Sequence, residues 1–207
     1  MQKIHVVSHP LVSHSLTILR EQNTPTERFK RHAAIVSQLL IMEATRDLPT
    51  LAQKVQTPLA PVDGQSIDDS LVLVPVLRAG LSMLFAALEF LPWASVGFIG
   101  LERDEKTAVA REYYKKFPEN LESKRILILD PMLATGGSLY DTMTALQKKG
   151  ARDVRAVCVV AAPEGLEMIH SAFPNLKIFT AAVDSHLNEM KYILPGLGDF
   201  GDRYFGT

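Results

Sequence analysis

One cysteine in 207 residues rules out an internal disulfide, and with it the small disulfide-stapled folds of secreted domains. Cys158 lies within Val157-Cys158-Val159-Val160, the setting of a small core residue rather than of a nucleophile. Neither sign of charge is in excess: 22 Lys and Arg stand against 23 Asp and Glu, for a net charge of −1. Nothing therefore draws the whole molecule toward nucleic acid or an anionic membrane, and a polyphosphate ligand would have to be held by local groups. No apolar run approaches membrane-spanning length, and Met1 to Val7 lacks the long apolar segment of a signal peptide, so a cytoplasmic protein is the expectation. Repeats, low-complexity tracts and linkers are missing. So is the GxxxxGK string of the mononucleotide-binding loop. The six histidines form no metal set: His5 and His9 are four apart but sit on a presumed strand and before Pro10, and His14, His32, His170 and His186 are scattered. No spacing supports a Ser/His/Asp arrangement.

What is present is enough for a single domain with a full core, 47% hydrophobic and 22% charged as in ordinary soluble globular proteins. Apolar runs without alternation recur at Leu71–Val76, Val96–Ile99, Ile126–Leu129, Val154–Val160 and Ile178–Val183. Helical patterns lie between several of them, at Leu81–Phe90, Leu139–Lys149 and Glu164–Ser171. Strands apolar on both faces, alternating with helices, predict an α/β fold with a parallel core sheet covered on both sides. Such sheets bind ligands at the carboxyl ends of their strands. Upstream, a short strand near the N-terminus precedes a helix from Leu11 to Arg20. A second helix is expected to start at Thr24, with Pro25 in its first position and Glu27 closing a capping box, and to run to about Arg46. Its apolar set (Phe29, Ile35, Val36, Leu39, Leu40, Met42) is wide, which predicts burial on two sides and suggests a second subunit. The charged stretch 102–119, with Tyr113-Tyr114-Lys115-Lys116 at its centre, breaks the pattern and reads as a mobile hairpin over the site.

The most informative stretch is Asp130-Pro131-Met132-Leu133-Ala134-Thr135-Gly136-Gly137-Ser138. An acid ends a buried strand, a loop of small residues follows, and a helix begins. Two glycines allow tight curvature and close approach of backbone N–H groups to a ligand, and the helix N-terminus adds partial positive charge. Asp130 would repel a phosphate but could accept hydrogen bonds from sugar hydroxyls or face a metal. A phosphate cup with an acid at its lip suits a ribose 5-phosphate.

This nonapeptide resembles the 5-phosphoribosyl 1-diphosphate (PRPP) loop of the type I phosphoribosyltransferases, and its wording resembles the uracil phosphoribosyltransferase branch. Val74-Pro75-Val76-Leu77-Arg78-Ala79-Gly80-Leu81 and Tyr192-Ile193-Leu194-Pro195-Gly196-Leu197-Gly198-Asp199-Phe200-Gly201-Asp202-Arg203 agree with that branch. So do His9-Pro10-Leu11, Glu43 to Pro49, Gly100 to Asp104 and Ala161 to Gly165, in the family's order. The resemblance thus covers nearly the whole chain, residues 1–207. It implies a core of about 68–185 with a small hood from about 1–60 and 186–207, the hairpin of about 102–119 rising from the core.

By resemblance, Ala134 to Ser138 hold the 5-phosphate and Asp130 contacts the ribose hydroxyls, with Pro131, Met132 and Leu133 completing the PRPP loop. Type I enzymes generally carry two adjacent acids here, and Pro131 stands in place of the second, so Mg²⁺ is expected to arrive on PRPP and not to sit in a site of protein side chains. Arg78, read as a buried arginine needing a partner, and Arg103 are assigned to the diphosphate; the plain alternatives are a structural ion pair and a solvated surface charge. Gly196-x-Gly198-x-x-Gly201 spells a dinucleotide-binding string, but only six residues follow Gly201, so the acid that motif needs about twenty residues on is missing. The family uses this loop for uracil instead, which assigns Ile193, Gly198, Asp199 and Phe200 to the base, with Asp199 also at the reacting centre. Many members have a small residue where this chain has Phe200, so backbone recognition requires the ring to point elsewhere. Arg78, Asp130 and Asp199 are the candidate catalytic residues. The implied reaction is uracil plus PRPP giving UMP plus diphosphate, in a homo-oligomer of at least two subunits, with a purine-nucleotide activator left open. The alternatives are a sister enzyme for a purine or orotate, and a non-catalytic regulator that senses PRPP or UMP and binds RNA.

Overall fold

The structure, a computed structural model, describes residues 3–67, 70–103 and 110–207, without the side chains of 102, 103 and 110–112. In chain order the elements are β1 (Ile4–Val6), α1 (Pro10–Arg20), α2 (Thr26–Ala44), β2 (Thr50–Gln56), β3 (Pro61–Ile67), β4 (Leu71–Leu77), α3 (Leu81–Leu88), β5 (Ser95–Val96), β6 (Phe98–Arg103) and β7 (Ala110–Lys116). They continue with β8 (Arg125–Leu129), β9 (Met132–Leu133), α4 (Gly137–Gln147), β10 (Asp153–Ala161), α5 (Pro163–Ala172), β11 (Lys177–Val183), β12 (His186–Leu187), β13 (Ile193–Leu194) and α6 (Phe200–Phe205). The main sheet runs β1-β11-β10-β8-β4-β6-β7, with β5 against β4 and β9 against β10. Every pairing in it is parallel except β6 with β7.

The apolar strands sort their side chains by parity, as the two-residue strand period demands. Leu71, Leu73, Leu127, Leu129, Val157 and Val159 face one layer, built on α1, α2 and α3. Val72, Val74, Ile126, Ile128, Ala156 and Cys158 face the other, with α4 and α5. Both faces are covered, as expected, and all five apolar runs form strands. The Val96–Ile99 run is divided between β5 and β6.

Three details differ from expectation. The second helix begins at Thr26 with Pro25 as its cap residue and no side-chain cap; the Thr24 hydroxyl donates instead to Ile18 O at 2.7 Å, tying the turn to α1. The capping box therefore does not form, and Glu27 pairs with Arg31 at 3.5 Å. Of the wide apolar set on α2, Phe29, Val36 and Leu40 are buried while Met42 is exposed. Finally, residues 50–67 form an antiparallel hairpin of β2 and β3, paired only with each other, that sequence patterning did not suggest because nearly every residue in it is exposed.

The 102–119 hairpin exists as the antiparallel arms β6 and β7, in register Arg103 to Ala110. Its tip, 104–109, and with it the expected mobility, lies outside the described residues. Among the described residues no helix is long and apolar enough to cross a membrane.

Candidate active site

β8 ends at Leu129, and the Pro131 carbonyl accepts from Val159 N at 2.9 Å and Val160 N at 3.2 Å. β9 then pairs with the end of β10, and Ala162 N donates to Leu133 O at 2.9 Å. Stitched down in this way, the chain turns at Gly136, whose φ of 89° is a left-handed value that glycine adopts freely, and α4 starts with no side-chain cap. The first turn of α4 lies at a small cup of about 30 Å³ lined by Asp130 and Met132 to Leu139, with the Gly137 N–H donating to Thr135 Oγ1 at 3.5 Å. This is the stretch read from the sequence as an anion cradle. Pro131 is buried and does not line it. Behind the loop stands α5: a β-carbon on Gly165 would lie 2.2 Å from Ala134 O. Below the cup, burial pushes the Cys158 thiol up to about 12, with the nearby Asp130 charge adding to the shift. Cys158 is thus the inert core residue that its neighbours implied.

The Gly/Pro-rich run after β13 forms one wall of a larger pocket, about 200 Å³, whose other wall is Ala79, Met132 and Ala134. Ile193, Gly198, Asp199 and Phe200 all line it. Phe200 is 1% exposed; its ring packs edge-on against Phe29 at 5.1 Å and stacks on Tyr204 at 6.3 Å, so the aromatic group belongs to the core and leaves its backbone at the pocket. Asp199 caps α6, accepting from Asp202 N at 2.9 Å. Two glycines have positive φ here, Gly196 at 60° and Gly198 at 77°, and a side chain on the first would strike Ile193 O at 2.1 Å.

A broader basin of about 570 Å³ opens beside this pocket, lined among others by Arg78, Tyr113, Asp199 and Asp202. Arg78 is not buried, contrary to expectation: its side chain is 66% exposed, with Asp202 Oδ1 at 3.9 Å. The preceding strand ends one residue before it, so the side chain projects from the sheet edge into the opening and not into the core. Gly80 permits the turn, since a β-carbon there would meet Leu129 O at 2.3 Å. Arg103 ends β6, and its side chain lies outside the described residues.

The three cavities adjoin. The middle pocket shares Met132 and Ala134 with the cup, and Ala79, Asp199 and Gly201 with the basin. They form one cleft at the carboxyl ends of β4 and β8, where parallel sheets place ligands.

Sequence reasoning missed the residues that hold the cleft's third wall. Arg20 donates to both carboxylate oxygens of Asp184, at 2.6 and 2.9 Å, and to Gly196 O at 2.7 Å, while Gly196 N donates back to Asp184 at 2.9 Å. Arg203 donates to Leu197 O at 2.7 Å, to Glu21 O at 2.6 Å and to Leu19 O. At the opposite end of the sheet, Asp47 joins Arg155 at 2.6 Å and Arg125 at 2.9 Å; hydrogen bonding to Arg155 draws its carboxyl down to about 2. No sequence signal pairs residues so far apart.

A mostly parallel sheet with a strand–loop–helix anion cup at its carboxyl edge, and a second loop opposite, defines a phosphoribosyltransferase fold. The orotate phosphoribosyltransferase of Mycobacterium tuberculosis, solved with PRPP, shares that fold at a TM-score of 0.51 over 84% of this chain and 96% of its own, with 15% identity. Far nearer is the AQ2163 protein of Aquifex aeolicus, at a TM-score of 0.93 and 40% identity over 99% of this chain and 98% of that one. The family model described as uracil phosphoribosyltransferase matches residues 6–207. Proteins of that name from Dictyoglomus thermophilum and Shouchella clausii are 46% and 45% identical, covering 98% and 100% of both chains. The chain belongs to the uracil phosphoribosyltransferase family.

Proposed function

We propose that the chain transfers the 5-phosphoribosyl group of PRPP to N1 of uracil, giving UMP and diphosphate. The adjoining cavities carry this reading: a cup for the 5-phosphate, a pocket for a planar base and an open basin for diphosphate, sharing residues in that order. The anomeric carbon would lie where they meet, beside Asp199. Displacement there passes through an oxocarbenium-like transition state, so the protein contributes positioning and charge stabilisation. Asp130 receives the ribose hydroxyls, Arg78 and Arg103 the departing diphosphate, and the backbone at Ile193, Gly198 and Phe200 the edge of uracil. Phe200 supports backbone recognition because its ring is committed to Phe29 and Tyr204.

Mg²⁺ would come with PRPP and offset charge on the diphosphate. The carboxylates lining the cleft fit that role poorly as a cage, since among the described residues no group of three or more His, Cys, Asp or Glu could hold an ion. The rest of the proposal concerns the assembly. The hairpin of β2 and β3 exposes Leu51, Val55, Leu59 (96% exposed), Val62 and Ile67. A two-stranded hairpin is marginal alone in water, so cover by another copy supports at least a dimer. Of the segments 1–60 and 186–207, assigned together to a hood, Ile4–Val6 joins the core sheet and α1 and α2 pack on one face of it. Residence in the cytoplasm fits a substrate that carries three phosphoryl groups and does not cross membranes.

The test is product formation from Mg-PRPP with uracil, beside parallel reactions with cytosine, hypoxanthine, adenine and orotate, with and without GTP. Turnover with uracil alone is expected. Turnover with another base overturns the base assignment, and PRPP binding without any turnover, joined to a salt-dependent RNA shift, favours the regulator.

A further inference from the structure

Arg203 lines none of the three cavities of the cleft, yet backbone carbonyls from two distant segments converge on it. Leu19 and Glu21 stand at the C-terminal end of α1, where the helix presents carbonyls and the negative end of its dipole. Leu197 belongs to the base loop, 2.7 Å from the same guanidinium. The guanidinium of Arg203 also lies 4.5 Å over the Phe29 ring. An arginine whose fork is filled by main-chain oxygens of two segments fixes one against the other.

The consequence falls on one peptide. The Leu197–Gly198 bond is not among the cis bonds of this chain. In a planar trans peptide the C=O and the following N–H point in opposite directions. With the Leu197 carbonyl turned toward Arg203, the Gly198 N–H is turned the other way, toward the pocket that Gly198 lines. No acceptor among the described residues takes that N–H. The two peptide groups before it are held at Gly196, whose O accepts from Arg20 and whose N donates to Asp184. The Arg203 contact at Leu197 O holds the peptide that follows.

We infer that Arg203 is a positioning residue for the nucleobase: by holding Leu197 O it aims the Gly198 N–H at a ring carbonyl of the base. The inference rests on the uracil reading above and adds to it the side chain that orients the backbone donor. Arg203 touches no substrate, so its effect is on base affinity and not on the PRPP half of the cleft.

The test is initial-rate kinetics of Arg203→Met, which keeps an unbranched stem without the guanidinium, and Arg203→Lys, which keeps one charge and can reach one or two of the carbonyls. KM for uracil is expected to rise about tenfold in Arg203→Met, the size of one misdirected hydrogen bond, and less in Arg203→Lys. KM for PRPP should stay within about twofold of wild type on the same grounds. Unchanged KM for uracil in a folded variant overturns the inference, as does a parallel rise in both KM values, which would mark a general structural role. Should neither variant fold, the Gly198 amide resonance of the wild-type protein decides: a shift on adding uracil to the PRPP-free protein supports the role, and no shift at saturating uracil refutes it. Wild-type protein that binds PRPP but makes no UMP removes the uracil reading and this inference together. Wild-type turnover with an unaltered variant removes the inference alone.

Discussion

Gly165→Ala tests how the phosphate cup is built. Helix propensity alone favours alanine by about 1 kcal/mol, since Gly165 is the third residue of α5. Packing reverses the sign. The new β-carbon would lie 2.2 Å from Ala134 O, 3.1 Å from its carbonyl carbon and 3.3 Å from Gly136 N. Helix and loop must separate by about 1 Å to restore ordinary contact, in an interior packed as densely as an organic crystal. Overpacking costs about 1–3 kcal/mol, and a clash against a backbone oxygen belongs in the upper part of that range, about 2–3 kcal/mol, which leaves a net destabilisation of about 1–2 kcal/mol after the propensity gain. At about 2–4 °C per kcal/mol for a chain of this length, Tm should fall by roughly 2–8 °C. Ala134 lines both the cup and the base pocket, so the displacement enters the cleft. A misplacement of about 1 Å can cost about a hundredfold in rate, and kcat/KM for PRPP should drop by about that order. Calorimetry with initial rates at varied Mg-PRPP gives both quantities. A variant with equal or higher Tm and unchanged kcat/KM would show that the loop does not depend on this contact.

Other parts of the structure make equally definite claims. Asp47 is held from an ordinary 3.8 down to about 2, so its stabilising pairing is complete above about pH 5 and disappears as pH falls through 2. Because the side chain is 55% exposed, urea unfolding of Asp47→Asn should differ from wild type by no more than about 1 kcal/mol at neutral pH, and by nothing near pH 2. Arg20→Met strands Asp184, only 4% exposed, and should cost about 3 kcal/mol in guanidinium titrations; adding Asp184→Leu should recover most of it. Cys158, with its thiol pushed up to about 12, should resist alkylation in the native state, with labelling that tracks global unfolding.

The central strands were legible because burial on both faces removes polar residues from them: Leu71 to Val74 and Ile126 to Leu129 are all fully buried. The cup was legible because its glycines answer a local demand, with Gly136 in a left-handed turn directly before a helix. The 50–67 hairpin was not, since neither of its faces packs on the body and no periodicity marks it. Arg78 was misread for a related reason. An apolar strand leads up to it, but the strand stops one residue short and the side chain emerges into the basin. Arg20, Asp184 and Arg203 escaped notice because the contacts that tie the two ends of the chain together, Arg20 with Asp184 and Leu19 with Arg203, span 164 and 184 residues, a distance over which no spacing rule operates.

That separation also orders the birth of the site. The cup needs only Ala134 to meet Gly165, a neighbourly encounter along the chain, whereas the base pocket waits for the α1 terminus to meet Arg203. By loop-closure entropy the second meeting costs about 1.5 kcal/mol more than the first. A refolding molecule should therefore gain its grip on PRPP before its grip on uracil, and stopped-flow refolding read by each ligand would show that lag. Should the lag be seen, chain connectivity would give the molecule a half-finished state that holds the sugar donor with nothing yet able to receive the sugar.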